Sequence, residues 1–251
     1  MTETELILAC DTSTRHCAVS LCRMGERDGS LDVMANSCVE RHKLHAERLL
    51  DSVYQMLEAA SCDLGEITCL AATSGPGSFT GLRVGLATWK GLAFALRLRL
   101  VAVPTLDAMA RLFPVPDSTV VPLLDARMKE VFGAVYRFTG GVREKVVPER
   151  VGPVQDLLAG LTGERGPLIL FGDGVRRYES EIRTLVPQAF LAPPECGTPR
   201  ADTVAAEAYA MLRAGACTDP ALAAPRYLRA SQAEQARAAR LEAAATTAQR
   251  E

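Results

Sequence analysis

One stretch constrains this chain more than any other. An apolar run, Ile67 to Ala72, ends in SGPGSFTG, and a helical pattern opens directly behind it at about Thr80 and continues to Leu96. A strand that turns through glycines into a helix commits its neighbourhood to α/β packing. It also gathers backbone N–H groups at a helix start, which is how such turns bind phosphate. The block GPGSFTGLRVG, Gly75 to Gly85, lacks the Gly-Lys-Ser/Thr ending of a Walker A loop, and its spacing is GxGxxxG instead of GxGxxG. Gly75 and Gly77 can equally serve a tight turn, with Ser78 or Thr80 as helix N-cap. On mechanism alone, turn and packing outrank phosphate binding, and both readings stay open.

Around this unit the periodicities alternate. Leu6 to Cys10, Cys17 to Cys22 and Leu31 to Val39 read as strands, the last two joined by the turn chemistry of MGERDGS. A helix is expected over 45–60, where Leu49, Val53, Met56 and Ala60 fall on one stripe and Leu50, Tyr54 and Leu57 on a second face beside it. The helix over 80–96 has a large stripe (Leu82, Leu86, Trp89, Ala93, Leu96) and a small one (Gly81, Gly85, Thr88). After a strand from Leu100 to Val103, Pro104 marks a junction. We therefore expect a first lobe over 1–103, completed by a helix near 201–214, and a second lobe over 104–200. The second lobe reads as strands Thr119 to Leu124, Val131 to Phe138 and Val142 to Val147, then helix Val154 to Leu161, strand Leu168 to Phe171 and helix Arg176 to Val186. Each half opens with a three-strand meander and continues as alternating helix and strand. Residues 231–251 are alanine-rich, with Leu241 the one large aliphatic, and read as a mobile tail.

Composition excludes several classes. Of 251 residues, 48% are hydrophobic and 23% charged, which rules out disorder over the whole chain. A net charge of -2 gives no general attraction to nucleic acid or anionic lipid. The opening MTETELILACDTS carries acid where a secretory leader needs positive charge, so no leader is expected. Arg83, Lys90, Arg97 and Arg99 interrupt the longest apolar region, so no membrane helix is expected either. The eight cysteines contain no CxxC pair and read as reduced thiols of a cytoplasmic protein. His42 and His45 form HxxH, two ligands where zinc sites use three or four, and the third histidine, His16, is far away in sequence. Asp11-Thr12-Ser13-Thr14 places a carboxylate beside hydroxyls at a strand end, suited either to phosphate or metal–water coordination or to an Asx-type turn.

Taken together, ILACDTS, HAERLL (45–50), SGPGSFTGLRVGLATWKGLA (74–93), VPTLDAMA (103–110), LLDARMKEVFGAVY (123–136), FGDGV (171–175) and PRYLR (225–229) resemble the TsaB (YeaZ) family over about residues 5–229. The long glycine block is the specific part of that likeness. The resemblance implies an actin/hexokinase-like (ASKHA) α/β fold of two related lobes, each with a mixed sheet. It implies a non-catalytic activator of TsaD, the tRNA threonylcarbamoyladenosine synthase, working with the ATPase TsaE and meeting tRNA only indirectly. TsaD-like enzymes carry a metal-binding HxxxH pair where this chain has Thr105 and Met109, neither a good ligand for a hard or borderline cation. In FGDGV, Asp173 puts a negative charge where a relative's nucleotide would lie. Asp11 and Ser13 survive as a vestigial phosphate loop, and no cofactor is expected. The family uses its two neighbouring helices to bind TsaD, or to form a homodimer without it. We assign that seam to Leu49, Val53, Met56, Leu82, Leu86, Trp89 and Ala93; the alternative is that both stripes are internal. The rival function is an ASKHA enzyme that itself binds ATP and transfers a carbamoyl or phosphoryl group. A peptidase lacks a nucleophile–base pair or metal set here.

Overall fold

The computed structural model describes residues 5–25, 30–40, 46–164 and 166–229. The expectations for His42, His45 and the 231–251 tail fall outside them. The first half of the chain forms β1 (Glu5–Asp11), β2 (His16–Met24), β3 (Leu31–Glu40), α1 (Ala46–Ala59), β4 (Cys69–Gly75), α2 (Phe79–Leu96) and β5 (Arg99–Pro104). Its five strands pair in the order β3-β2-β1-β4-β5, antiparallel across the meander and parallel from β1 onward. β1 reads as a continuous apolar run because both its faces are covered. Leu6, Leu8 and Cys10 face the side closed by α1 and α2, and Ile7 and Ala9 the opposite side. That opposite side is closed by α7 (Ala201–Arg213), whose Ala201, Val204, Ala205 and Ala208 lay a small-residue stripe against the sheet.

The second sheet repeats this plan. It contains β6 (Thr119–Arg127), β7 (Glu130–Thr139), β8 (Val142–Gly152), β9 (Leu168–Phe171) and β10 (Phe190–Leu191) in the order β10-β9-β6-β7-β8. Its meander is again antiparallel, and β9 and β10 again join in parallel. Each sheet is thus a three-strand meander extended by two parallel strands through helical crossovers, which gives the two-lobed α/β architecture expected from the sequence. α4 (Val154–Leu158), α5 (Asp173–Arg177) and α6 (Glu179–Leu185) pack with the second sheet. The single helix expected over 176–186 is two pieces. The backbone breaks at Tyr178 (φ -116°), and that residue's ring turns into the second lobe's core while its hydroxyl donates to Glu130 O at 3.3 Å.

Besides the two-residue β10, one helix was not anticipated. α3 (Thr105–Ala110) follows directly on β5, and all six of its residues are buried. Its Ala108 belongs to the first lobe's core, whereas Leu106, Met109 and Ala110 belong to the second's. α3 is therefore a peg driven between the lobes.

Candidate functional site

The glycine block and the Asp11 turn meet at the C-terminal ends of β1 and β4. Asp11 is 1% exposed, and its carboxylate accepts hydrogen bonds from the N–H and the hydroxyl of Ser13, each at 3.0 Å. Burial pushes the Asp11 carboxyl up to about 6, although the Ser13 hydrogen bonds pull the other way. Ser78 N–H donates to Ser13 O at 2.6 Å, and Ser78 Oγ caps α2 by accepting from Gly81 N–H at 3.2 Å. The small stripe of α2 lies on the same turn. A Cβ at Gly81 would stand 2.0 Å from Thr12 O, and one at Gly85 2.2 Å from Thr12 Oγ1. The glycines thus seat α2 on the turn itself, and the amides of Ser78 and Gly81 are taken by Ser13 O and Ser78 Oγ. Of the two readings of this block, turn and packing is the one the geometry supports.

The second lobe has a matching corner. Gly172 adopts φ +106°, and a side chain there would meet Leu123 O at 2.2 Å. Asp173 Oδ1 accepts from Asp125 N–H at 2.9 Å, so the residue flagged as repelling phosphate also fixes the end of β6. The surrounding protein raises the Asp173 carboxyl, although its rim remains open to solvent. Asp125 itself accepts from Arg127 N–H and pairs with Arg127 at 3.2 Å and Arg177 at 3.8 Å. Burial, aided by Arg15, lowers the pKa of His16, while the charges of Glu40 and of Asp173 on the other lobe oppose the shift.

Thr105 and Met109 stand on α3 and are buried at 0% and 1%. Thr105 Oγ1 finds no hydrogen-bond partner, and Met109 packs in a core cluster with Leu106, Val120, Leu124 and Phe171. A sealed hydroxyl and a core thioether do not fit the metal that the resemblance assigns to these two positions. Between them lies a residue the sequence reading passed over. Asp107 accepts from Tyr136 Oη–H at 2.6 Å, and Lys145 Nζ stands 2.7 Å from its Oδ1. Its only sequence signal was an acid embedded in the apolar run VPTLDAMA.

The seam assignment needs correction. Leu49, Val53, Met56, Leu82, Leu86, Trp89 and Ala93 are all buried within this chain, none more than 4% exposed. All but Leu82 share one core cluster with Leu8, Leu21 and Leu70, and Trp89 Nε1–H donates to Leu8 O at 3.1 Å. Both stripes of α2 are internal, the large one against the sheet and α1, the small one against Thr12. The residues that α1 and α2 turn outward are others: Leu50, Tyr54 (80% exposed) and Phe94 (85%), with Ala87, Gly91 and Ala95 exposed along α2.

Two mixed sheets of equivalent strand order, each with a glycine corner and joined by the peg α3, define a two-lobed α/β protein of the actin/hexokinase-like class. The family model described as TsaD, tRNA N6-adenosine threonylcarbamoyltransferase, matches residues 38–237. The chain belongs to that family, and within it to the TsaB (YeaZ) proteins. It is similar to the tRNA threonylcarbamoyladenosine biosynthesis protein TsaB of Bacillus subtilis (strain 168), at 28% identity over 72% of this chain and 76% of that one. Against the TsaB proteins of Haemophilus influenzae and Escherichia coli (strain K12) the identity is 38% and 37%, and the matches span about half of each relative, 55% and 54%. The solved structure of YeaZ from Pseudomonas aeruginosa, 28% identical, superposes with a TM-score of 0.72 over 89% of this chain and all of that one.

Proposed function

We propose that this chain is a non-catalytic activator of a TsaD-type transferase in the threonylcarbamoyladenosine modification of tRNA. In this reading it pairs with TsaD through the outward side of α1 and α2, TsaE joins the pair, and tRNA is met only through the partner. Without TsaD the same face self-associates. The protein works in the cytoplasm. The lobe division follows the two sheets, with α7 serving the first.

The observation that carries the proposal is the fate of the site. Thr105 and Met109 are sealed in the interlobe core, and the glycine corner is filled by Thr12 and Ser13. Thr105 and Met109 are poor ligands for a cation that would polarise a threonylcarbamoyl-adenylate. The outward face supplies the positive side. Gly91 sits in the interior of an 18-residue helix with nothing within 4 Å of where its Cβ would be. A helical glycine costs about 1 kcal/mol relative to alanine, and no contact among the described residues offsets that. With Ala87 and Ala95 it forms a stripe at i, i+4, i+8, flanked by Phe94, that lets another helix approach closely.

The rival, an enzyme that itself binds ATP and transfers a carbamoyl or phosphoryl group, draws on the retained Asp11 and Ser13. Calorimetric titration of the purified chain with ATP and magnesium separates the two. The activator reading expects no saturable heat for the chain alone; micromolar binding would favour the enzyme.

A further inference from the structure

The motif PRYLR touches both lobes. After α7 the chain runs back along the molecule as a strap over residues 217–229, turning once at Asp219–Ala223. Thr218 N–H donates to Leu100 O at 2.9 Å beside the β5 edge, and Lys90 Nζ of α2 reaches Ala223 O at 2.8 Å. Arg226 N–H donates to Ser74 O at 2.6 Å, and the space left by Gly75 is taken by Arg226 O. Tyr227 stacks on Phe79 with centroids 4.8 Å apart, and Arg83 Nε–H donates to its hydroxyl at 2.8 Å. All of these hold the strap to the first lobe.

Its last residues cross to the second lobe. Arg229 donates to Ala126 O at 3.0 Å and pairs with Glu130, so one guanidinium spans the two ends of the β6–β7 turn. That turn needs a staple: Arg127, Met128 and Lys129 all have φ between +53° and +63°, a conformation non-glycine residues keep only when held. Arg226 also approaches Glu149 at 3.7 Å, and Glu149 pairs with Lys145 at 2.7 Å. Lys145 leads to Asp107 on the peg α3, and Arg143 joins the carbonyl of Asp107 to Glu207 of α7. The interlobe junction is therefore closed from two directions, by the peg's ion network and by the strap.

We propose that the strap is a clasp, with Arg229 as its pin, that fixes the two lobes at one separation, so that they do not close on a ligand. The test is the interlobe distance distribution by pulsed electron paramagnetic resonance. Labels on non-natural side chains at Glu58 and Ser180, both exposed, leave the native cysteines untouched. For the unmodified strap the clasp predicts one narrow distribution, unchanged by ATP and magnesium. Arg229→Ala should broaden it and speed exchange of the Arg226 amide by about tenfold or more. Arg229→Lys should retain much of the narrow width, and the swap Arg229→Glu with Glu130→Arg should restore it even if Arg229→Glu alone fails to fold. A broad distribution in the parent protein, closure with nucleotide, or a narrow distribution that survives Arg229→Ala would each overturn the proposal.

Discussion

Asp11 is buried at the end of β1, where Ser13 donates to its carboxylate, and that burial has a thermodynamic consequence. Its folded-state pKa of about 6 lies above the ordinary carboxylate value, so the native state keeps this proton to higher pH than the unfolded chain does. The contribution to stability is full below about pH 4, falls as pH climbs through about 6, and stays reduced above; two units correspond to roughly 3 kcal/mol. Asp11→Asn removes the charge and keeps an acceptor for Ser13. We expect it to flatten the pH 4–6 decline and to raise the melting temperature by several degrees at pH 7.5, since about 1 kcal/mol moves a chain of this size by roughly 2–4 °C. An Asn variant less stable than the parent at pH 7.5 would show that the ionised carboxylate is an asset to the fold. The glycines beside it give a paired test. Gly81→Ala meets a backbone oxygen and should cost on the order of 3 kcal/mol, with no relief from changing the Thr12 side chain. Gly85→Ala meets mainly Thr12 Oγ1, so Thr12→Ala should recover much of its loss, as read by denaturant midpoints. At this scale the sequence named Asp11, Ser13 and the small stripe, but neither burial nor the partner of that stripe is encoded in spacing.

The two helices show what a periodicity can and cannot decide. Leu86 and Met56 fall on apolar stripes, and the stripes are real, but a stripe states only that a face is covered, not by what. Here the sheet covers it, and the surface we propose for the partner is made of the residues these helices turn outward. A charge at Leu86 should therefore unfold the first lobe, seen as lost circular dichroism, because an unpaired ion in a dry core costs several kcal/mol. Tyr54→Asp and Phe94→Asp should leave the spectrum and melting temperature intact and abolish self-association and TsaD binding in sedimentation measurements. Gly91 divides the two effects at a single position. Gly91→Ala should stabilise the isolated chain by about 0.5–1 kcal/mol, whereas Gly91→Phe should leave it folded and unable to dock. Folded Tyr54, Phe94 and Gly91→Phe variants that still bind TsaD normally would move the interface off these helices. Tyr54 was visible in the sequence as part of the second face of α1, whereas the Ala87–Gly91–Ala95 stripe was passed over in favour of the Gly81–Gly85–Thr88 stripe on the same helix.

For the molecule as a whole, the meander-then-crossover plan was legible twice over because strands and helices differ in period. The peg α3 was not, since six residues are too few to show a period and Pro104 reads as a break. It is this peg that turns two possible metal-ligand positions into core, and with them the account of function. The direct test is threonylcarbamoyl transfer from threonylcarbamoyl-adenylate to tRNA, followed with three preparations: this chain alone, TsaD alone, and the two together. We expect no product from this chain alone, little from TsaD alone, and sustained turnover from the pair that Phe94→Asp abolishes. Turnover by this chain alone, or a TsaD equally active without it, would contradict the claim that the protein acts by activating a partner.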